Sequence, residues 1–346
     1  MTESTENKIA AERDGAASNS SLPTVSIVIP MLNEKDFIER CISSVLQQDY
    51  PQQNIDIVVV DGMSQDGSRE KVLDIARRHP NVRLLDNPAR RTPNALNIGI
   101  KNARGQVVII LGAHTTIKQD FLRFNIHYMQ QLDVKCVGGT QINVGDTYIQ
   151  QAIGHAMGSP FGIPSAPYRF HKKKRFVDTV VYAAYARELF DKIGYFDEEL
   201  HISEDAELNW RIRKAGYKIF YTPEIVSYYY PRRNIKKLIR QFFNYGILRV
   251  NVIKKHRDAI KPIHLIPPAF LLATIILTLL SLFHAAPFIV LKEMWIIYFL
   301  YLIAASIITG LRSKQFKYIV VLPIIFMAMH LSWGAGFLVG LFKKNT

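Results

Sequence analysis

Cysteine is almost missing: Cys41 and Cys136 are the only two in 346 residues. One falls in a helical pattern and the other in a strand pattern. Neither a disulfide framework nor a cysteine metal centre has support, and a reducing compartment fits. Residues Met1 to Ser21 lack the apolar core of a signal peptide. They are rich in Ser, Ala, Glu and Asn, which predicts a disordered tail over residues 1–22. No Gly-x-Gly-x-x-Gly follows the first strand pattern, which argues against a dinucleotide-dependent dehydrogenase. Acid is scarce between Pro231 and Lys261, where ten Lys and Arg accompany a single Asp258; nine of the fourteen net positive charges lie there.

That location decides between two partners. A nucleic-acid binder would interleave its basic residues with stacking aromatics on the soluble part. Here they precede a long apolar run, where anionic membrane lipids are the natural partner and nucleic acid is not. Ile235, Leu238, Ile239 and Phe242, at i, i+3, i+4 and i+7, give residues 231–262 an apolar face and predict an amphipathic interfacial helix. A merely solvated basic helix is the alternative. Ile263 to Phe283 is a run of 21 residues without Asp, Glu, Lys or Arg, enough to cross a hydrocarbon layer of about 30 Å. Trp295 to Leu311 and Tyr318 to Phe342 are further uncharged runs, so residues 263–342 predict about three transmembrane helices. Gly336 and Gly340 have a spacing that lets helices approach closely. Lys292 alone is basic between His284 and Met294, against three Lys and Arg from Arg312 to Lys317. The bias predicts a multi-pass protein of the inner (plasma) membrane with its N-terminal domain in the cytoplasm. Lys343 and Lys344 then fall outside, which leaves room for a re-entrant third segment.

Residues 23–230 alternate strand and helix patterns. Val25 to Ile29 is a β-branched run ending at Pro30, and Ile55 to Val60 is an almost unbroken Val/Ile run of the kind covered on both faces. Val82 to Leu85 and Val107 to Leu111 read as further strands. Helices are predicted around Ile38–Val45, over Ser68–Arg78, and from Thr92-Pro93, read as cap and first helical residue, to Gly105. This order predicts an α/β fold with a doubly wound, mostly parallel sheet, whose ligands bind beyond the carboxyl ends of the strands. The polar residues there are Asn33, Glu34, Asp61, Asp66 and Gly112-Ala113-His114.

Four stretches carry a family resemblance: VSIVIPMLNE at 25–34, IVVVDGMSQDGS at 57–68, PNALNIGIKNARGQVVIILGAHT at 93–115 and GYFDEELHISEDAELNWRIRKAGYKIFYTP at 194–223. In this order they resemble the family-2 glycosyltransferases of GT-A fold, and VDTVVYAAYARELF and RQFFNYGILR look closest to the ExoA-type succinoglycan glucosyltransferases. The resemblance implies an inverting transferase that moves one sugar from a nucleotide-diphosphate donor, a UDP-hexose by family analogy, to a lipid-linked saccharide or polysaccharide-precursor acceptor. It places the donor nucleotide at Pro30, Asn33, Glu34, Asp61, Arg91, Asn94 and Gly112, with Asp61 accepting from the base. It makes Asp205 the catalytic base beside Glu204, in the first turn of a helix that Ser203 can cap. Trp210, Arg213 and Gln241 are the acceptor or membrane-proximal candidates. The family's metal-binding acid is replaced here by Gly112, leaving His114 as the candidate ligand for Mg2+ or Mn2+. Arg90, Arg91 or the membrane-proximal basic residues are the other means of neutralising a leaving diphosphate. Gln241-Phe242-Phe243-Asn244-Tyr245 departs from the Gln-x-x-Arg-Trp of processive synthases, which points to single additions. An inactive membrane-tethered scaffold is the reading from another class. The Gly/Pro-rich stretch from Met157 to Phe176 is read as a lid or a basic surface loop.

Overall fold

The computed structural model describes residues 22–199, 204–255 and 260–343. The expected tail up to residue 21, and Ser203, lie outside the described residues. Strands β1 (Val25–Met31), β2 (Ile55–Asp61), β3 (Val82–Asp86) and β4 (Val107–Ile110) lie parallel in the order 3-2-1-4. Helices α1 (Ile38–Leu46), α2 (Ser68–Arg78) and α3 (Thr92–Asn102) connect them. Val25, Ile27, Val28 and Ile29 are fully buried, as are Ile57 to Val60, because helices cover both faces of these strands. Strand β1 runs past Pro30, which lies beyond the last β1–β4 pair, Val28 with Ile110, so its missing N–H costs that ladder nothing. Arg91, rather than Thr92, is the cap of α3: its carbonyl accepts the first helical bond, from Ala95 N–H at 3.1 Å.

Beyond β4 the sheet becomes mixed. Strands β5 (Thr115–Ile117), β6 (Cys136–Asn143), β7 (Arg175–Val177), β8 (Ala184–Ala186) and β9 (Ile219–Tyr229) extend it in the order 4-8-6-9-5, with β7 paired to β9. Strand β8 is antiparallel to β4 and β6, whereas β6 and β9 are parallel. Helices α4 (Phe121–Gln131), α5 (Tyr148–Met157), α6 (Glu188–Ile193) and α7 (Glu204–Lys214) complete this half.

The chain then forms α8 (Ile235–Lys255), α9 (Ile266–Ser281), α10 (Ala285–Ser313) and α11 (Leu322–Phe342). Three helical stretches, Pro262–Ser281, Ala285–Ser313 and Leu322–Phe342, are long and apolar enough to cross a membrane. Helix α10 starts ten residues before the expected Trp295. The extended His284 and the first-turn Pro287 set its start, and Lys292 and Glu293 continue it, because a helix ends at a cap and not at a charge.

Helices α8 and α11 run side by side in the same direction. A Cβ on Gly246 would meet the Trp333 carbonyl oxygen at 2.2 Å, and one on Gly336 the Phe243 carbonyl oxygen at 1.9 Å. The Gly336/Gly340 face therefore packs on α8. Both ends of α8 reach the sheet domain, through Arg233–Asp36 at 3.9 Å and a Lys255–Asp197 ion pair. Both ends of α11 are also tied: Lys254 Nζ donates to the carbonyls of Gly340 and Lys343, and Tyr148 Oη to that of Lys317. One apolar core contains Ala152, Ile153, Ala156 and Met157 of α5 together with Leu238, Phe242, Leu322, Ile325, Phe326 and Met329. It straddles the domain boundary expected at residue 230.

Candidate active site

The carboxyl ends of β1 and β2 are laced together. Asn33 adopts φ 56°, a left-handed conformation that Asn tolerates. Its N–H donates to Ser64 Oγ at 2.9 Å, and its Oδ1 accepts from Gln65 N–H at 3.0 Å. Glu34 N–H donates to Ser68 Oγ, while the Glu34 carbonyl accepts from Phe37 and Ile38 and starts α1. Asp66 accepts from Lys35 N–H and Ser68 N–H; despite some desolvation, the hydrogen bonds from Ser68 and Lys35 hold its carboxyl below the usual range. Asp61 is fully buried and accepts from Ser64 N–H, Ser64 Oγ (2.6 Å) and Arg69 Nη1 (3.2 Å). Ser64 N–H reaches both carboxylate oxygens, at 3.1 and 3.2 Å, so the roughly four lone-pair sites of Asp61 are all occupied in this turn.

The structure brings two of the candidates into contact. His114 Nδ1 lies 3.1 Å from Glu34 Oε1, and the ring sits between Phe37 (6.2 Å) and Tyr229 (5.1 Å). A Cβ at Gly112 would meet Tyr182 Oη at 3.3 Å and Thr115 Oγ1 at 3.4 Å, so two hydroxyls crowd the place of the family's acid. Among the described residues no group of three His, Cys, Asp or Glu side chains converges as a metal site. Glu34 and His114 nevertheless offer a carboxylate and an imidazole at one point. That suffices for an ion completed by donor phosphates and water.

Asp205 sits in the first turn of α7. Leu208 and Ile212, at i+3 and i+7 on the same side of this helix, are completely buried, and Arg211 pins it through Glu207 (2.7 Å) and the carbonyls of Ile193, Gly194 and Tyr195. Asn209 donates to Thr179 Oγ1 and the Val180 carbonyl. Burial raises the Asp205 carboxyl to about 6. Burial first, with the Asp205 charge adding to it, holds the hydroxyls of Tyr168 and Tyr182 above the ordinary tyrosine range. Tyr182 thus sets its hydroxyl beside Gly112. The side chain of Glu204 lies outside the described part.

Asp205, Trp210 and Arg213 line one cavity of about 1380 Å3 that continues between α9, α10 and α11. Gln241 stands behind its wall, donating to Tyr245 Oη at 2.7 Å, and Tyr245 lines it. The Gly/Pro-rich stretch forms another wall. His330 Nε2 lies 2.8 Å from the Phe161 carbonyl, and a Cβ at Gly162 would meet the Ala156 carbonyl at 2.1 Å, so this part is tethered to α11 and α5. Asn94 is bound to Glu198 (2.5 Å), on the segment leading towards α7, and Arg91 is exposed. Sequence reasoning missed Tyr168 and Arg249, which line this cavity, and Tyr182 beside Gly112. No spacing marks the tyrosines, and Arg249 was hidden within a charge run.

Comparisons with known proteins bear on the family and the fold. The Glycosyl transferase family 2 profile matches residues 26–194. A Methanococcus voltae protein, dolichyl N-acetyl-alpha-D-glucosaminyl phosphate 3-beta-D-2,3-diacetamido-2,3-dideoxy-beta-D-glucuronosyltransferase, is 30% identical over 330 residues, 93% of this chain and 98% of its own. The succinoglycan biosynthesis protein ExoA of Rhizobium meliloti is 33% identical over 246 residues, 70% of this chain and 73% of its own. A mannosyltransferase from Pyrobaculum calidifontis, solved with GDP-Man and Mn2+, shares the fold at TM-score 0.59 and 21% identity, over 98% of this chain and 95% of that one. With a relative matched almost end to end and the family profile over the sheet, the chain belongs to glycosyl transferase family 2 and is a glycosyltransferase.

Proposed function

We propose that the enzyme transfers one sugar from a nucleotide-diphosphate donor to a lipid-linked saccharide at the cytoplasmic face of the membrane, with inversion. The observation that carries this reading is a base at the head of a cavity that runs on between apolar helices. The Methanococcus relative, whose name states a dolichyl-phosphate-linked acceptor, supports it. Asp205 removes the proton of the acceptor hydroxyl as that oxygen forms a bond to the anomeric carbon. The nucleoside diphosphate leaves from the opposite face with the electron pair of the broken C–O bond. General-base help of this kind is worth about 10²- to 10⁴-fold in rate.

The nucleoside lies against Pro30 and the Asp61–Ser64 turn, where Asp61 meets the base when Ser64 gives way. Glu34 and His114 would hold a divalent ion, which supplies positive charge for the departing diphosphate. The basic residues of α8 set this domain on the cytoplasmic side, against anionic lipids. Helix α11, lying along α8, stays on the same face, and the α9–α10 hairpin enters the bilayer. The test is transfer from a panel of nucleotide-sugars to a polyprenyl-diphosphate-linked sugar in detergent, with the anomer of the product read by NMR. Inverted product from wild type and almost none from Asp205→Asn is the expected result. Retained configuration, or full activity in the variant, overturns the mechanism.

A further inference from the structure

One basic residue of the cavity is unlike the others. Arg213 and Lys261 both reach Asp178, at 3.6 and 2.7 Å. Arg169 donates to Asn143 Oδ1 at 2.9 Å, and Lys214 lies over the Trp210 ring at 5.7 Å. Arg249 has no hydrogen bond or ion pair among the described residues, yet it lines the same cavity. It belongs to a stripe of α8, Phe242, Tyr245, Arg249 and Val252, spaced so that all four share the cavity-facing side. Burial lowers its basicity, opposed by the nearby Tyr168 hydroxyl, but a guanidinium keeps its proton in any protein. A permanent cation withdrawn from water without a counter-ion is costly, and a fold keeps one where a ligand supplies the missing charge.

The cavity also specifies what kind of anion it takes. Tyr168 lines the cavity together with Asp205 and Arg249 and feels the charge of both. Between α9, α10 and α11 the walls are mostly apolar, with Phe270, Ile297, Tyr301 and Met329, and carry Glu293 and His330 as polar interruptions. An acceptor with its reacting hydroxyl on Asp205 would thus share one cavity with the Arg249 guanidinium and with the mostly apolar walls of α9, α10 and α11. We infer that Arg249 is the anion-binding residue of the acceptor site, holding the phosphate that joins the acceptor sugar to its lipid while the lipid chain runs between α9, α10 and α11. This rests on the lipid-linked acceptor proposed above. The planar guanidinium suits two parallel bonds to phosphate oxygens.

Trp210 and Trp333 line the cavity and report on binding through their fluorescence. The experiment titrates the full chain in detergent with farnesyl phosphate, farnesol, inorganic phosphate and UDP, using wild type, Arg249→Ala and Arg249→Lys. A charge-assisted bond predicts that wild type binds farnesyl phosphate about 10- to 100-fold more tightly than farnesol. Arg249→Ala removes that preference with farnesol binding unchanged, and Arg249→Lys restores part of it. Equal weakening of both ligands in Arg249→Ala, with Lys restoring neither, means a packing role and overturns the assignment. So does Arg249-dependent binding of UDP or inorganic phosphate as tight as that of farnesyl phosphate, which would place a donor or free phosphate there. A wild type that transfers sugar but does not prefer farnesyl phosphate sinks the Arg249 assignment alone. One that prefers it but transfers nothing sinks the transfer reading alone.

Discussion

Replacing Asp205 by Asn separates what the carboxylate does for the reaction from what its burial does to the fold. Burial raises its pKa from 3.8 to about 6. The folded protein therefore favours the protonated carboxyl more than the unfolded chain does. Stability from this group is complete below pH 3.8 and is lost as pH rises through 6. Two pKa units correspond to about 3 kcal/mol at most, and water in the cavity reduces this to about 1–3 kcal/mol. Asn carries no charge and escapes the penalty. At pH 7.5 the variant is expected to melt several degrees above wild type, with the gap narrowing below pH 6 and closing near pH 4. The same carboxylate must be ionised to act as a base, so wild-type kcat/KM should rise with pH and level off above about 6. Thermal unfolding in detergent across pH 4–8, paired with initial rates, measures both. An Asn variant no more stable than wild type at pH 7.5, or an acid limb near pH 4, refutes the idea of a desolvated base.

Other perturbations probe other parts of the site and fold. His114→Ala removes one of two proposed donors and should weaken the Mn2+ dependence of donor binding by about 10- to 100-fold, read by titrating Mn2+ against UDP-sugar binding. Gly246→Val pushes a side chain into the Trp333 carbonyl and should cost at least about 1–3 kcal/mol, seen as a lower melting temperature. The C-terminus should lie on the same side of the membrane as the sheet domain. A C-terminal tag in sealed inside-out vesicles should thus be cleaved by added protease, and protection there would mean that α11 crosses.

Much of this was legible where the pattern is local. The Val/Ile runs of β1 and β2 must be buried on both faces, which only a parallel sheet covered by helices provides. The strand ends then locate Glu34, Asp61 and His114 without coordinates. The second half of the sheet was not legible, because β5, β7 and β8 have three residues each and exist only through their neighbours. Tyr182 reaches Gly112 by a turn with φ 49°, which no spacing announces. Asp205 was read from a motif, but its raised pKa depends on what covers it. The Gly336/Gly340 pair was visible as a close-packing signal, yet its partner could be identified only from the shape of the folded chain.

The core shared by α5, α8 and α11 has a practical reach. A chain trimmed at residue 230 to obtain a water-soluble catalytic fragment would strip Phe242, Leu322, Ile325 and Phe326 from α5 and leave Ala152, Ile153, Ala156 and Met157 facing solvent. Such a fragment would aggregate, since the half that performs chemistry borrows part of its interior from the half that meets lipid.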